Sequence, residues 1–85
     1  MGIFSKLPIF GEEAVARGTR KVMLMFYNGF KNKDPGMPES WYLKMALSMR
    51  FRKWSDIQLE VFVSDCNNID ELIEKIITQE KYRLI

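Results

Sequence analysis

The final third of the chain has the most regular pattern of apolar and polar positions. Its apolar residues recur at intervals of three and four, with polar residues on the opposite arc: Ile69, Leu72, Ile73, Ile76 and Ile77. This spacing is that of an amphipathic helix. Asn68 suits the N-cap position, and Glu71 lies four residues before Lys75, where the two can form an ion pair. The pattern predicts a helix over about residues 68–82.

A second helical segment, residues 38–54, is apolar on more than one side. Pro38 is favoured in the first turn of a helix, and the basic residues at 50–53 suit its C-terminal end. Two apolar stripes run along it, one of Tyr42, Met45, Ala46 and Met49 and the other of Leu43, Leu47 and Trp54. A helix that is apolar around so much of its circumference is expected at the centre of the fold or at a contact with another chain.

The pattern of residues 12–31 favours a third helix. A helical projection gathers most of its apolar side chains on one side. The segment lacks the alternation of apolar and polar residues that a half-buried strand would show. The apolar run at residues 20–27 leaves a strand there as the alternative. Gly18 lies inside the predicted helix, where a glycine suggests the close approach of another backbone. Pro35 and Gly36 predict a turn after this segment.

Residues 57–64 are ambiguous between strand and helix. Alternate positions are apolar, as in a half-buried strand: Ile57, Leu59, Val61 and Val63. Ser55 and Gln58, however, have the spacing of a helical capping box. The alternation favours a lone strand over a short helix. Because a strand needs a ladder partner, we expect it to pair with residues 3–10, with residues 21–27, or with its counterpart in a second molecule.

Together these segments predict a mainly α fold in a single domain, residues 1–85, with α+β as the alternative if residues 20–27 and 57–64 are strands. A core of this size provides only about 3 to 5 kcal/mol of stability. Cys66 is the single cysteine and the chain has no histidine. These residues allow neither an intrachain disulfide nor a set of zinc ligands. Association into a homodimer is therefore expected to stabilise the fold.

The residue types present argue against catalysis. The absence of histidine excludes nucleophiles activated by an imidazole. The five glycines are scattered and form no phosphate-binding loop. We therefore predict a protein that is not an enzyme and that uses no cofactor and no metal. No apolar run reaches the roughly 18 to 20 residues that span a bilayer, and the N-terminal pattern is not that of a signal peptide, so we expect a soluble, cytoplasmic protein.

These exclusions favour a small binding or adaptor protein that acts through self-association or through another protein. The predicted partner-binding residues combine the second helix with the ambiguous segment: Trp41, Met45, Met49, Trp54, Ile57, Leu59, Val61 and Val63. If residues 57–64 form an edge strand, a partner is expected to bind by adding a strand to it.

The alternative function is nucleic-acid binding by a basic and aromatic patch around residues 50–54. Residues 1–55 contain ten basic and four acidic residues, whereas residues 56–85 contain three and seven. Cations can contact phosphates while aromatic rings stack on bases. The predicted nucleic-acid contacts are Arg17, Arg20, Lys21, Arg50, Arg52 and Lys53. The competing interpretation is that Phe51 and Trp54 pack in the core.

Overall fold

The structure is a computed structural model that describes the backbone of residues 2–84 and the side chains of residues 16–79. The described backbone forms four α-helices and contains no strand: α1 Gly2–Lys33, α2 Glu39–Arg50, α3 Asp56–Val63 and α4 Ile69–Leu84. The prediction of a mainly α fold with three main helices is confirmed. The α+β alternative, with strands at 20–27 and 57–64, is wrong.

Two helix boundaries differ from the predicted ones. α1 begins at Gly2 and not near residue 12, so residues 3–10 are helical and provide no strand partner. α2 ends at Arg50 and not near residue 54. The reason is a turn after α2, in which the Trp54 amide donates to the Phe51 carbonyl at 3.1 Å. This turn redirects the chain so that a separate helix can begin.

That separate helix, α3, replaces the lone strand that alternation favoured at residues 57–64. Both bonds of a capping box are present at its start. Ser55 Oγ accepts a hydrogen bond from the Gln58 amide at 3.3 Å, and Gln58 Oε1 accepts one from the Ser55 amide at 2.8 Å. The alternation of apolar residues at 57–64 does not come from a half-buried strand. It arises because α3 has apolar residues on two opposite sides, of which one faces the core.

The core draws side chains from all four helices. α1 packs against α2 and α4, and α2 also packs against α3. The buried apolar residues are Met23, Tyr27, Tyr42, Leu43, Ala46, Leu47, Leu59, Phe62, Val63, Leu72, Ile73 and Ile76. Both apolar stripes of α2 contribute to this set, in agreement with its predicted central position. The close backbone approach expected at Gly18 is wrong, since a Cβ there would meet no atom within 4 Å.

The turn between α1 and α2 is held by the buried Tyr42. Its hydroxyl accepts a hydrogen bond from the Met37 amide at 3.1 Å and donates one to the Asp34 carbonyl. Gly36 has a φ of 89°, a conformation that side-chain-bearing residues rarely adopt. These contacts confirm the predicted turn and fix α2 against α1. α3 packs in turn against α2.

Candidate protein-binding surface on α3

α3 has an apolar outer side that is largely exposed among the described residues. Ile57 and Val61 are 73% and 64% exposed, although both are aliphatic. They lie four residues apart and therefore on the same side of the helix. Leu59, Phe62 and Val63 form the inner side and are buried. The result is a short helix that uses one apolar side for folding and leaves a second one free.

Trp54 stands beside this outer side and is held by neighbouring rings. Its indole stacks on Phe51 with centroids 4.3 Å apart and planes 13° apart, and it lies 5.3 Å from the ring of Phe62. Trp54 is half-buried by these contacts. A groove of about 430 Å³ opens next to it, lined by Trp54, Ile57, Gln58, Val61, Phe62, Lys75 and Gln79. An indole fixed in this way can contact a partner with little loss of side-chain entropy.

Lys75 of α4 closes the other end of the groove. Its Nζ donates to the Phe62 carbonyl at 2.6 Å and to Asp65 Oδ1 at 2.8 Å, and it lies 4.3 Å from the centre of the Phe62 ring. The hydrogen bond from Lys75 lowers the pKa of the Asp65 carboxyl. The spacing predicted that Lys75 would pair with Glu71, but its ammonium is directed to the end of α3. α3 and α4 are therefore tied together below the groove.

The structure separates the predicted partner-binding residues into three groups. Trp54, Ile57 and Val61 lie together on the outer surface, whereas Leu59 and Val63 are in the core. The remaining three are half-buried on α2: Trp41, Met45 and Met49. Trp41 packs edge-on against Phe30 and Tyr42 near the turn, and Met49 lines a shallow groove with Met25 of α1.

Sequence reasoning missed three polar residues of the groove. Gln58 of α3 and Lys75 and Gln79 of α4 line it. One signal was available for the first of these. The capping box of Ser55 and Gln58 indicates a helix, and a helix would have placed Gln58 beside Ile57 and Val61. No local signal connects α4 with α3.

Four of the six predicted nucleic-acid contacts lie on or beside α1, and they are divided between two of its sides. Arg50 Nη2 donates to Thr19 Oγ1 at 3.5 Å. At about 100° per residue, positions two before and two after Thr19 lie on nearly the opposite side of the helix, and these positions hold Arg17 and Lys21. Arg20 forms an ion pair with Glu74 at 2.7 Å. These arginines and lysines therefore do not form one continuous basic patch.

Arg52 and Lys53 are exposed in the turn before α3, next to the stacked rings. In the nucleic-acid interpretation Phe51 and Trp54 would receive bases on their faces. In the structure these two rings stack on each other, so one face of each is occupied, and both are partly buried against the core. The aromatic part of the predicted patch is therefore partly engaged in packing.

Cys66, at the base of α3, has the environment of an unreactive thiol. It is half-buried, with its Sγ 3.8 Å from the Phe62 carbonyl oxygen and 3.7 Å from Asp65 Oδ1. Burial, and after it the neighbouring charge of Asp65, raise the pKa of the thiol. Among the described residues, no three cysteine or carboxylate side chains gather in a way that could hold a metal ion.

Comparisons with protein-family models, with curated proteins and with solved structures find no significant match to this chain. Among the described residues, no helix has both the length and the apolar character needed to cross a membrane. The function is therefore inferred from the geometry of α3 and its neighbours.

Proposed function

We propose that this chain is a non-enzymatic binding protein that contacts another protein surface through the outer side of α3 and the adjacent Trp54. One observation carries the proposal: Ile57 and Val61 are largely exposed on a helix whose other side is core. A single exposed aliphatic residue is ordinary. Two on the same helical side, next to an indole and a groove, form a contiguous apolar patch of the kind found at interfaces.

The chemistry of the surface suits protein binding. Its centre is apolar, with Trp54 beside the aliphatic pair, and its edge is polar, with Gln58 and Gln79 at the rim of the groove. Protein interfaces have this arrangement, in which a buried aromatic anchor contributes most of the binding energy. The capping box and Lys75 hold the surface in place before any partner arrives, which reduces the entropic cost of binding.

A catalytic role is not part of this proposal. The chain lacks histidine, and burial raises the pKa of the Cys66 thiol, which disfavours the thiolate that acts as a nucleophile. A cytoplasmic location is included in the proposal, because a single cysteine without an intrachain partner is compatible with a reducing compartment.

Site-specific photo-crosslinking tests the proposal. A benzophenone amino acid replaces Val61 in one variant and Met25 in a matched control, since Met25 is similarly exposed but lies on α1. In producing cells, irradiation is expected to give a discrete adduct from position 61 and none from position 25. Adding Ile57→Gln to the first variant is expected to reduce the adduct. No adduct at 61, or equal adducts at both positions, would overturn the proposal.

The nucleic-acid alternative has a separate test, motivated by the exposure of Arg52 and Lys53. If it is correct, the protein shifts RNA or DNA on a gel at low salt, and the shift weakens steeply as salt increases. The Arg52→Ala, Lys53→Ala double variant is then expected to lose the shift, whereas Ile57→Gln keeps it. Absence of a shift at low salt would remove this alternative.

A further inference from the structure

We infer that the partner seated on the outer side of α3 is a second copy of this chain, with the two α3 helices antiparallel about a two-fold axis that passes between Ile57 and Val61, level with position 59. The inference rests on the proposed function, since it names the partner of the same surface. Three features of the described residues carry it: the spacing of the apolar pair, the charges at the two ends of α3, and the lysine that partly offsets the charge of the acids along it.

The spacing of the apolar pair is self-complementary. When two copies of a helix pack antiparallel, positions equally far from the axis on opposite sides face each other. With the axis level with position 59, Ile57 of one copy faces Val61 of the other, and the same contact is repeated on the other side of the axis. Trp54 then lies beside the chain that follows α3 in the second copy. In a parallel pairing Ile57 would face Ile57, so the two arrangements can be distinguished.

The charges at the two ends of α3 favour the antiparallel arrangement. Lys53 lies six residues before Leu59, and Asp65 lies six residues after it. Lys53 lies just before α3 begins and Asp65 just after it ends, so an antiparallel pairing brings the basic end of each copy toward the acidic end of the other. Asp65 keeps 69% of its side chain exposed while paired with Lys75, so its carboxylate can accept a second cation. A parallel arrangement would instead bring like charges together.

The charge of the acids along α3 is partly offset within each chain. Asp56 and Glu60 both lie near Lys44 of the same chain, at 3.8 Å and 3.0 Å. Lys44 therefore weakens the repulsion between these residues and their counterparts in the second copy. Glu60 lies three residues after Ile57 and borders the apolar pair on the flank opposite Gln58.

The area of the surface sets the strength of the dimer. α3 has eight residues and is about 12 Å long. Stable interfaces bury about 800 Å² on each partner, which so short a helix does not supply even with Trp54 and the edge of α4. We therefore expect a weak dimer, with a dissociation constant on the order of 100 µM.

Two measurements on the purified chain test the inference. Sedimentation equilibrium from about 10 µM to about 1 mM is expected to show a monomer–dimer equilibrium. Val61→Gln is expected to weaken it at least tenfold and Met25→Gln to leave it unchanged. Lys53→Glu is also expected to weaken it, and Asp65→Lys in the same chain to restore part of the loss. Far-UV circular dichroism checks that each variant keeps its helices.

Disulfide trapping tests the register. In a Cys66→Ser background, a chain with Ile57→Cys is mixed with an isotope-labelled chain with Val61→Cys, under mild oxidation by oxidised glutathione. The antiparallel pairing predicts that the mixed disulfide forms in excess over both symmetric ones, because only positions 57 and 61 face each other. An excess of symmetric disulfides, or a strict monomer at the highest concentration, would overturn the inference.

The failure of this inference can be told apart from the failure of the proposed function. If the purified chain is monomeric but the crosslinker at Val61 captures a different protein in cells, the second copy is the wrong partner and the binding surface is retained. If position 61 gives no adduct and the chain is monomeric, both are wrong. An adduct at twice the 10.1 kDa of one chain supports both.

Discussion

The inner and outer sides of α3 carry the same kind of residue in opposite environments. Leu59 is 4% exposed and Ile57, two positions earlier, is 73% exposed. The inner side packs in the core against α2, and its Phe62 is also contacted by Lys75 of α4. The outer side has a groove beside it. Apolar character alone therefore does not determine whether a side chain is buried. Burial depends on whether another helix packs against that side of α3.

This difference separates folding from association within one helix. Changes on the inner side alter the free energy of unfolding of a single chain. Changes on the outer side leave that free energy nearly constant and alter binding. The reason is that Ile57 and Val61 are exposed to solvent in both the folded and the unfolded chain. Substitutions on the inner side are therefore expected to change stability without changing binding, and substitutions on the outer side to do the reverse.

The largest expected effect compares Leu59→Ala with Ile57→Ala. Truncating the buried Leu59 leaves a cavity and should lower the free energy of unfolding by about 2 to 4 kcal/mol. Truncating the exposed Ile57 should change it by less than about 0.5 kcal/mol. Urea unfolding followed by tryptophan fluorescence measures both, at low micromolar concentration, well below the dissociation constant expected for the dimer. Similar losses for the two variants would show that the outer side is covered within one chain.

The second prediction concerns the contact that fixes the inner side to α4. Lys75→Met keeps the aliphatic stem of the side chain but removes its hydrogen bonds to the Phe62 carbonyl and to Asp65. Hydrogen bonds from a charged donor are valuable when buried, and partial exposure reduces their value here. We expect a loss of about 1 to 2 kcal/mol in the free energy of unfolding.

Lys21→Met is the matched control for this change, because Lys21 is an exposed lysine on α1. It should alter stability by less than about 0.5 kcal/mol. If Lys75→Met cost no more than this control, α3 would be held by its apolar inner side alone.

The success of prediction from sequence differed between α4 and α3 for a physical reason. α4 has one apolar side, so its periodicity is unambiguous, and its cap forms as expected, with the Glu71 amide donating to Asn68 Oδ1 at 2.9 Å. α3 has two apolar sides about half a turn apart. In eight residues this produces the same alternation as a strand, so periodicity alone could not distinguish the two.

The same ambiguity limited the prediction of the binding surface. In a strand, Ile57, Leu59, Val61 and Val63 share one side; in a helix they divide into an exposed pair and a buried pair. Ile57 and Val61 were therefore selected together with two core residues. The contact of Lys75 with Phe62 joins residues far apart in the chain, and such a contact follows from packing, which local spacing does not reveal.

The third prediction addresses the helix that both sides share. Ser55→Ala removes the hydroxyl that accepts from the Gln58 amide and should cost about 1 kcal/mol of stability. Ser40→Ala, in the first turn of α2, is the control and should have a smaller effect. Because Ile57 and Val61 face the same way only while α3 is helical, Ser55→Ala should also weaken dimerisation in sedimentation. Lost stability with unchanged dimerisation would mean that the outer surface does not depend on the cap.

The smallest expected effect is a pH dependence at the end of α3. Lys75 lowers the pKa of Asp65 in the folded chain, so the contribution of this carboxylate to stability is present above its unfolded pKa and is lost as pH falls through the folded value. The difference in stability between the wild type and Asp65→Asn should therefore be greatest near neutral pH and shrink toward about pH 2.

The difference should also shrink in about 1 M NaCl, because Asp65 is exposed and its ion pair is screened. Urea titrations across the pH range at low protein concentration measure it. A difference that stayed constant with pH would show that the charge of Asp65 does not contribute to stability through its ion pair with Lys75. The charge of Asp65 would then be free for the contact with Lys53 of a second copy, and Lys75 would stabilise the inner side through the Phe62 carbonyl alone.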